Sequence, residues 1–128
     1  PAREGIAMWY KRWQQWLLLS VYATVITALS LTPASTMPDI TLWDKAQHFI
    51  AYAVFMGFAY PVANTLRGRL LFAIAIILYS AAMEYGQSWM PGRAPSGGDL
   101  LANSSGVIIA FAIMSAVGAM IKRRHRRA

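Results

Sequence analysis

The chain has no cysteine, so neither disulfide bonds nor thiol chemistry contributes to its fold or function. Charge is scarce as well: only 13% of the 128 residues are charged, and five of them are acidic. With 57% of its residues hydrophobic, the chain is too apolar for an ordinary soluble domain. The stretch 70–80 (LLFAIAIILYS) lacks the polar stripe that a helix of a soluble bundle must turn to water. No nucleophilic serine motif is present; Ser96 and Ser104 stand near polar residues without a signature around them. No long hydrophilic domain is available to recruit a soluble partner.

What the chain does have is apolar runs at 16–32, 46–64, 70–90 and 100–121. A helix needs about 20 residues to cross the hydrocarbon core of a bilayer, and each run approaches that length. The expectation is one all-α domain over 1–128: a polytopic membrane protein with four transmembrane helices (about 16–32, 43–64, 70–90 and 99–121) in a compact antiparallel bundle. The net charge of +7 is distributed by segment. Arg3, Lys11 and Arg12 precede the first run, Arg67 and Arg69 separate the second and third, and Lys122 to Arg127 follow the fourth. The other two connections hold Lys45 and Arg93 beside Asp39, Asp44 and Asp99. Positive charge alternating with each crossing puts both termini in the cytoplasm and the 33–45 and 91–99 connections outside. Topology accounts for the basic tail without nucleic acid, although the tail can also hold anionic lipid headgroups. Lys11-Arg12, the first run and Pro33-Ala34-Ser35 imitate a secretory signal; we read that run as a retained first helix.

Polar groups interrupt this hydrocarbon at few places. Thr41-x-x-Asp44 and Ser96-x-x-Asp99 fit helix N-termini, where a hydroxyl accepts from free amides and an acid meets the positive dipole end. His48 follows Asp44 by four residues and Asn103 follows Asp99 by four, a weak internal echo. Glu84 and Gln87 share a face at i, i+3. At the helical rise, His48 and Asn103 lie about 6 Å inward of their opening aspartates, and Glu84 about 9 Å inward of Pro91. Small residues at Ala53 and Gly57, at Ala82 and Gly86, and at Ala102, Gly106 and Ala110 allow close helix approach near those levels. The expectation is an outward-opening pocket lined by Asp44, Lys45, His48, Glu84, Gln87, Arg93, Asp99 and Asn103. Taken singly, each of these residues reads as a helix cap, an interfacial snorkeller or interhelical glue. Taken together they read as a site, because packing requires neither a near-buried carboxylate nor a histidine.

Two stretches resemble the VanZ-like membrane proteins. Asp44-Lys45-Ala46-Gln47-His48-Phe49 with Tyr52 is similar to that family's D-K-x-x-H-F-x-x-Y segment. Glu84-x-x-Gln87, Pro91-Gly92-Arg93, Ser96, Asp99, Asn103 and Gly106 match its second signature in order and spacing. The resemblance implies the bacterial envelope, the inner membrane and a connection with glycopeptide (teicoplanin) resistance. It does not supply a mechanism.

Three readings of function stand at this point. In the first, the pocket binds an anionic lipid or lipid-linked envelope precursor, with Lys45 and Arg93 on phosphate or carboxylate, Asp44 and Asp99 lining the site, and Gln87 and Asn103 orienting hydroxyls or amides. In the second, it is an enzyme acting on a lipid headgroup, with His48 and Glu84 as the catalytic acid/base pair, Asp44 or Glu84 orienting His48 and burial raising Glu84 toward a neutral pKa. A metal held by Asp44, His48, Glu84 and Asp99 is a variant of that idea, weakened by a single histidine; neither metal nor cofactor is expected. In the third, the helices form a non-catalytic adaptor. A homodimer would supply walls that four short helices lack.

Overall fold

The computed structural model describes residues 2–33 and 44–128, and for residues 2–10 the backbone alone. Four helices form: α1 (Ala2–Ser30), α2 (Asp44–Ala59), α3 (Leu66–Gln87) and α4 (Gly97–Arg127). The Thr41 cap, the 34–43 connection and the side chains of Trp9 and Tyr10 lie outside the described residues. Each boundary that is described has a local cause. α2 stops at Ala59 because Pro61 has no amide hydrogen to continue the ladder, and the chain tightens into a single 3-10 turn, Tyr60–Val62. Thr65 caps α3, its hydroxyl accepting from the Gly68 amide at 3.1 Å. Ser96 caps α4 by accepting from the Asp99 amide at 3.2 Å. Between α3 and α4 the amide of Arg93 bonds back to the Met90 carbonyl at 3.1 Å. Gly92 sits in that turn at φ 75°, which a side chain would disfavour.

The expectation of four transmembrane helices is not met. Among the described residues only α3 and α4 are long and apolar enough to cross a membrane. α2 has 16 residues, about 24 Å of rise, because the expected 43–64 helix had absorbed the proline break. α1 is longer than expected, beginning at Ala2 rather than near residue 16, but Gln14, Gln15 and its serines and threonines dilute its hydrophobicity. α4 also outruns its expected end, carrying the basic residues 122–127 as a helical extension. The antiparallel four-span bundle is thus replaced by an α3–α4 hairpin long enough to span and two helices packed on it that do not pass the same test.

α3 and α4 do not resemble the core helices of a soluble protein, since only 11% of the apolar window of each is buried. Large apolar side chains point outward around the molecule, among them Val21, Ile50, Leu71, Ile74, Leu78 and Ile108. An apolar exterior of this extent suits lipid rather than water. The interior is small and partly aromatic: Tyr22 and Tyr79 pack edge-on against Phe55 with centroids 5.5 and 5.6 Å away. Met56 and Val107 are fully enclosed.

α2 and α4 make the closest pairing, and Gly106 permits it. A Cβ at that position would lie 2.3 Å from the Phe49 carbonyl oxygen and 3.0 Å from the Ala53 nitrogen. Two backbones can approach this closely only where a side chain is missing. At the far end of α2 arginines satisfy carbonyls that the broken helix leaves free. Arg69 donates to Tyr60 O at 3.3 Å and Ala63 O at 3.2 Å, and Arg12 donates to Val62 O at 3.4 Å.

Candidate functional site

α2 and α4 both begin at the same end of the molecule, so their first turns bring two amide-rich N-termini together. Their opening acids and the residues that follow form one cluster. Lys45 Nζ is paired with Asp99, lies 3.3 Å from Ser96 Oγ, and stands 3.7 Å from Asp44 Oδ2. His48 Nε2 lies 3.5 Å from Asp99 Oδ2 and 3.7 Å from Asp44 Oδ1. The other ring nitrogen, Nδ1, donates to Asn103 Oδ1 at 2.9 Å. The side-chain oxygen of asparagine can only accept, so this bond fixes the proton on Nδ1. Asn103 is itself 1% exposed, and its Nδ2 donates to Ser80 Oγ at 2.8 Å. A buried chain therefore runs from Ser80 in α3 through Asn103 in α4 to His48 in α2, and it sets the angle of the imidazole.

Burial grades the cluster. The Asp44 side chain is 65% exposed, Lys45 32%, and Asp99 12%. The hydrogen bond that Lys45 donates to Asp99 holds its ammonium above the ordinary lysine pKa, with the nearby charges of Asp99 and Asp44 adding to the effect.

Three of the residues singled out from sequence do other work. Glu84, 6% exposed, accepts from the Ser96 amide at 3.2 Å, so it ties the end of α3 to the cap of α4. Arg93 turns to α1, donating through Nε to Thr32 O at 3.1 Å and through a terminal nitrogen to Leu29 O at 3.1 Å. It closes the C-terminus of α1 and gives its charge to that dipole. Gln87 is buried at the end of α3. The structure thus brings Asp44, Lys45, His48, Asp99 and Asn103 into contact, with Glu84 one residue removed and Arg93 engaged elsewhere.

Ser80 escaped the sequence reading, although it could have been found. It ends the apolar run of α3 and precedes Glu84 by four residues, so the two share a helix face. A groove of about 730 Å³ between α2 and α4 also went unnoticed. Its walls are Ala46, Phe49, Ile50, Leu101, Ala102 and Ser105, and Lys45 and Gly98 form one end. No sequence period announces a groove, because its shape depends on how closely Gly106 lets two helices meet. Lys45 therefore has oil on one side and the Asp–His cluster on the other.

The fold and this cluster define a class: a small helical membrane protein whose His–Asp–Lys constellation sits at the joined N-termini of two helices. A family model described as VanZ/LLP1 matches residues 6–119, and the chain belongs to that family. No curated protein and no solved structure matches the chain.

Proposed function

We propose that this VanZ/LLP1 protein binds an anionic amphiphile, a phospholipid or lipid-linked envelope precursor, with its tail between α2 and α4 and its headgroup at Lys45. The observation that carries this reading is the junction at Lys45 of an apolar groove and a polar cluster. A groove of about 730 Å³ falls in the usual size range of small-ligand sites, and its apolar walls suit an acyl chain. Among the described residues Lys45 is the cation that lines the groove, whereas Arg93 turns to α1 carbonyls. The bacterial inner membrane is the compartment this reading assigns, and glycopeptide resistance the phenotype to examine first.

The basic residues support an orientation for the α3–α4 hairpin. Arg67 and Arg69 open α3 and residues 122–127 close α4, so both basic ends lie on one side. By the positive-inside rule that side is cytoplasmic, and the 88–96 connection with the cluster faces outward. Native mass spectrometry of protein extracted with its lipids tests the binding. Wild type should retain anionic lipid preferentially, and Lys45→Met should lose the preference. Equal retention of zwitterionic and anionic lipids by wild type would remove the basis for the reading.

A second reading, hydrolysis or transfer at the headgroup, is favoured by one observation. His48 presents Nε2 to two carboxylates while Asn103 fixes its tautomer, an arrangement suited to a base that activates water. Incubation with envelope lipids and mass analysis of products distinguishes turnover from binding. A product formed by wild type and absent with His48→Ala would favour the enzyme.

A further inference from the structure

The Asp44–His48–Asp99 cluster has an imbalance that neither reading above resolves. With Nδ1 engaged by Asn103, the atom that His48 turns toward the two carboxylates is Nε2. Nε2 lies 3.5 Å from Asp99 Oδ2 and 3.7 Å from Asp44 Oδ1, so three atoms of metal-ligand type converge on one place. Lys45 does not fill the gap, because its ammonium pairs with the other oxygens, Oδ1 of Asp99 and Oδ2 of Asp44.

We propose that Asp44 Oδ1, His48 Nε2 and Asp99 Oδ2 bind a divalent transition-metal cation. All three ligand atoms lie within 4.8 Å of one another. Tetrahedral ligands at metal distances of about 2.0–2.1 Å stand about 3.3 Å apart, so the two contacts to the histidine need to contract by only a few tenths of an ångström. The longer adjustment falls to Asp44, the exposed first residue of α2, which has the freedom to make it. The Ser80–Asn103–His48 chain is the outer support that a metal-bound imidazole requires, fixing its tautomer and ring plane. One nitrogen with two carboxylate oxygens suits zinc or manganese; calcium and magnesium take oxygen ligands instead. Three protein ligands leave a coordination position for water or for an oxygen of a bound headgroup. The ion would also offset the two carboxylates that stand beside the anion's place at Lys45.

This site stands independently of the amphiphile, and the test separates them. Untagged full-length protein in detergent, stripped with chelator, is titrated calorimetrically with Zn²⁺ and separately with Mn²⁺, with no added lipid. The expected result is one ion per chain, weakened by at least about 10-fold in Asp44→Asn and in His48→Ala. Asp44→Asn alters an exposed side chain, so it should fold even where Asp99→Asn does not. His125→Ala, in the distant tail, should bind as wild type does. Lys45→Met removes a competing cation and should tighten metal binding while loosening anionic lipid. Failure of wild type to bind either ion at millimolar metal would overturn the proposal. So would binding that survives Asp44→Asn and His48→Ala unchanged.

Discussion

Replacing Gly106 with alanine tests the architecture on which the site depends. The added Cβ would lie 2.3 Å from Phe49 O, whereas ordinary contact begins at 3.4 Å, so α2 and α4 must part by about 1 Å. The obstructing atoms are backbone and cannot rotate aside. Overpacking of this kind costs about 1–3 kcal/mol. The same seam is crossed by the bond from His48 to Asn103 at 2.9 Å, and opening it by about 1 Å exceeds hydrogen-bonding distance, adding about 1 kcal/mol. Alanine regains about 0.5–1 kcal/mol over glycine inside a helix, so the net loss is about 1–3.5 kcal/mol. Gly57 provides the control, for a Cβ there meets nothing within 4 Å. Gly57→Ala should gain about 0.5–1 kcal/mol from helix propensity alone. Thermal unfolding of both variants in one detergent measures the contrast: Gly106→Ala should melt several degrees below wild type and Gly57→Ala at or above it. Equal midpoints for the two variants would refute the close α2–α4 approach.

Other substitutions probe individual links. Asn103→Leu removes the partner of both His48 Nδ1 and Ser80 Oγ and should cost about 2–4 kcal/mol by unfolding midpoint, because two polar groups are left inside. Arg93→Gln releases the carbonyls of Leu29 and Thr32; a lower midpoint with unchanged lipid selection is expected, and lost selection would return Arg93 to the headgroup. Lys45 carries an alkaline signature. Its pKa is raised by Asp99, so its contribution is fully present below the unfolded value near 10.4 and disappears as pH rises through the higher folded value. Melting midpoints taken from pH 8 to 11 should fall more steeply at the alkaline end for wild type than for Lys45→Met.

The residues of the cluster were legible because helical spacing is rigid. Asp44 to His48 and Asp99 to Asn103 are each one turn, so aligning the starts of α2 and α4 aligns both members of each pair. The small-residue pattern pointed to Gly106 for the same reason. Membrane span was misjudged because hydrophobic length was counted across Pro61, where the ladder breaks, and because the first run, 16–32, is short and thinned by serines and threonines. Arg93 was assigned to the pocket on charge alone. Its direction depends on the turn at Gly92, which swings the guanidinium toward a helix end that adjacency in sequence does not reveal.

The central claim is that the groove ending at Lys45 selects an anionic amphiphile. A photo-cross-linking residue placed at Leu101, in the groove, and in a separate protein at Leu71, on the outer face of α3, tests it most directly in vesicles of mixed phospholipids. The expected result is enrichment of anionic lipid in adducts at position 101, none at position 71, and loss of the enrichment with Lys45→Met. Adducts at both positions that mirror the bulk lipid composition would contradict it.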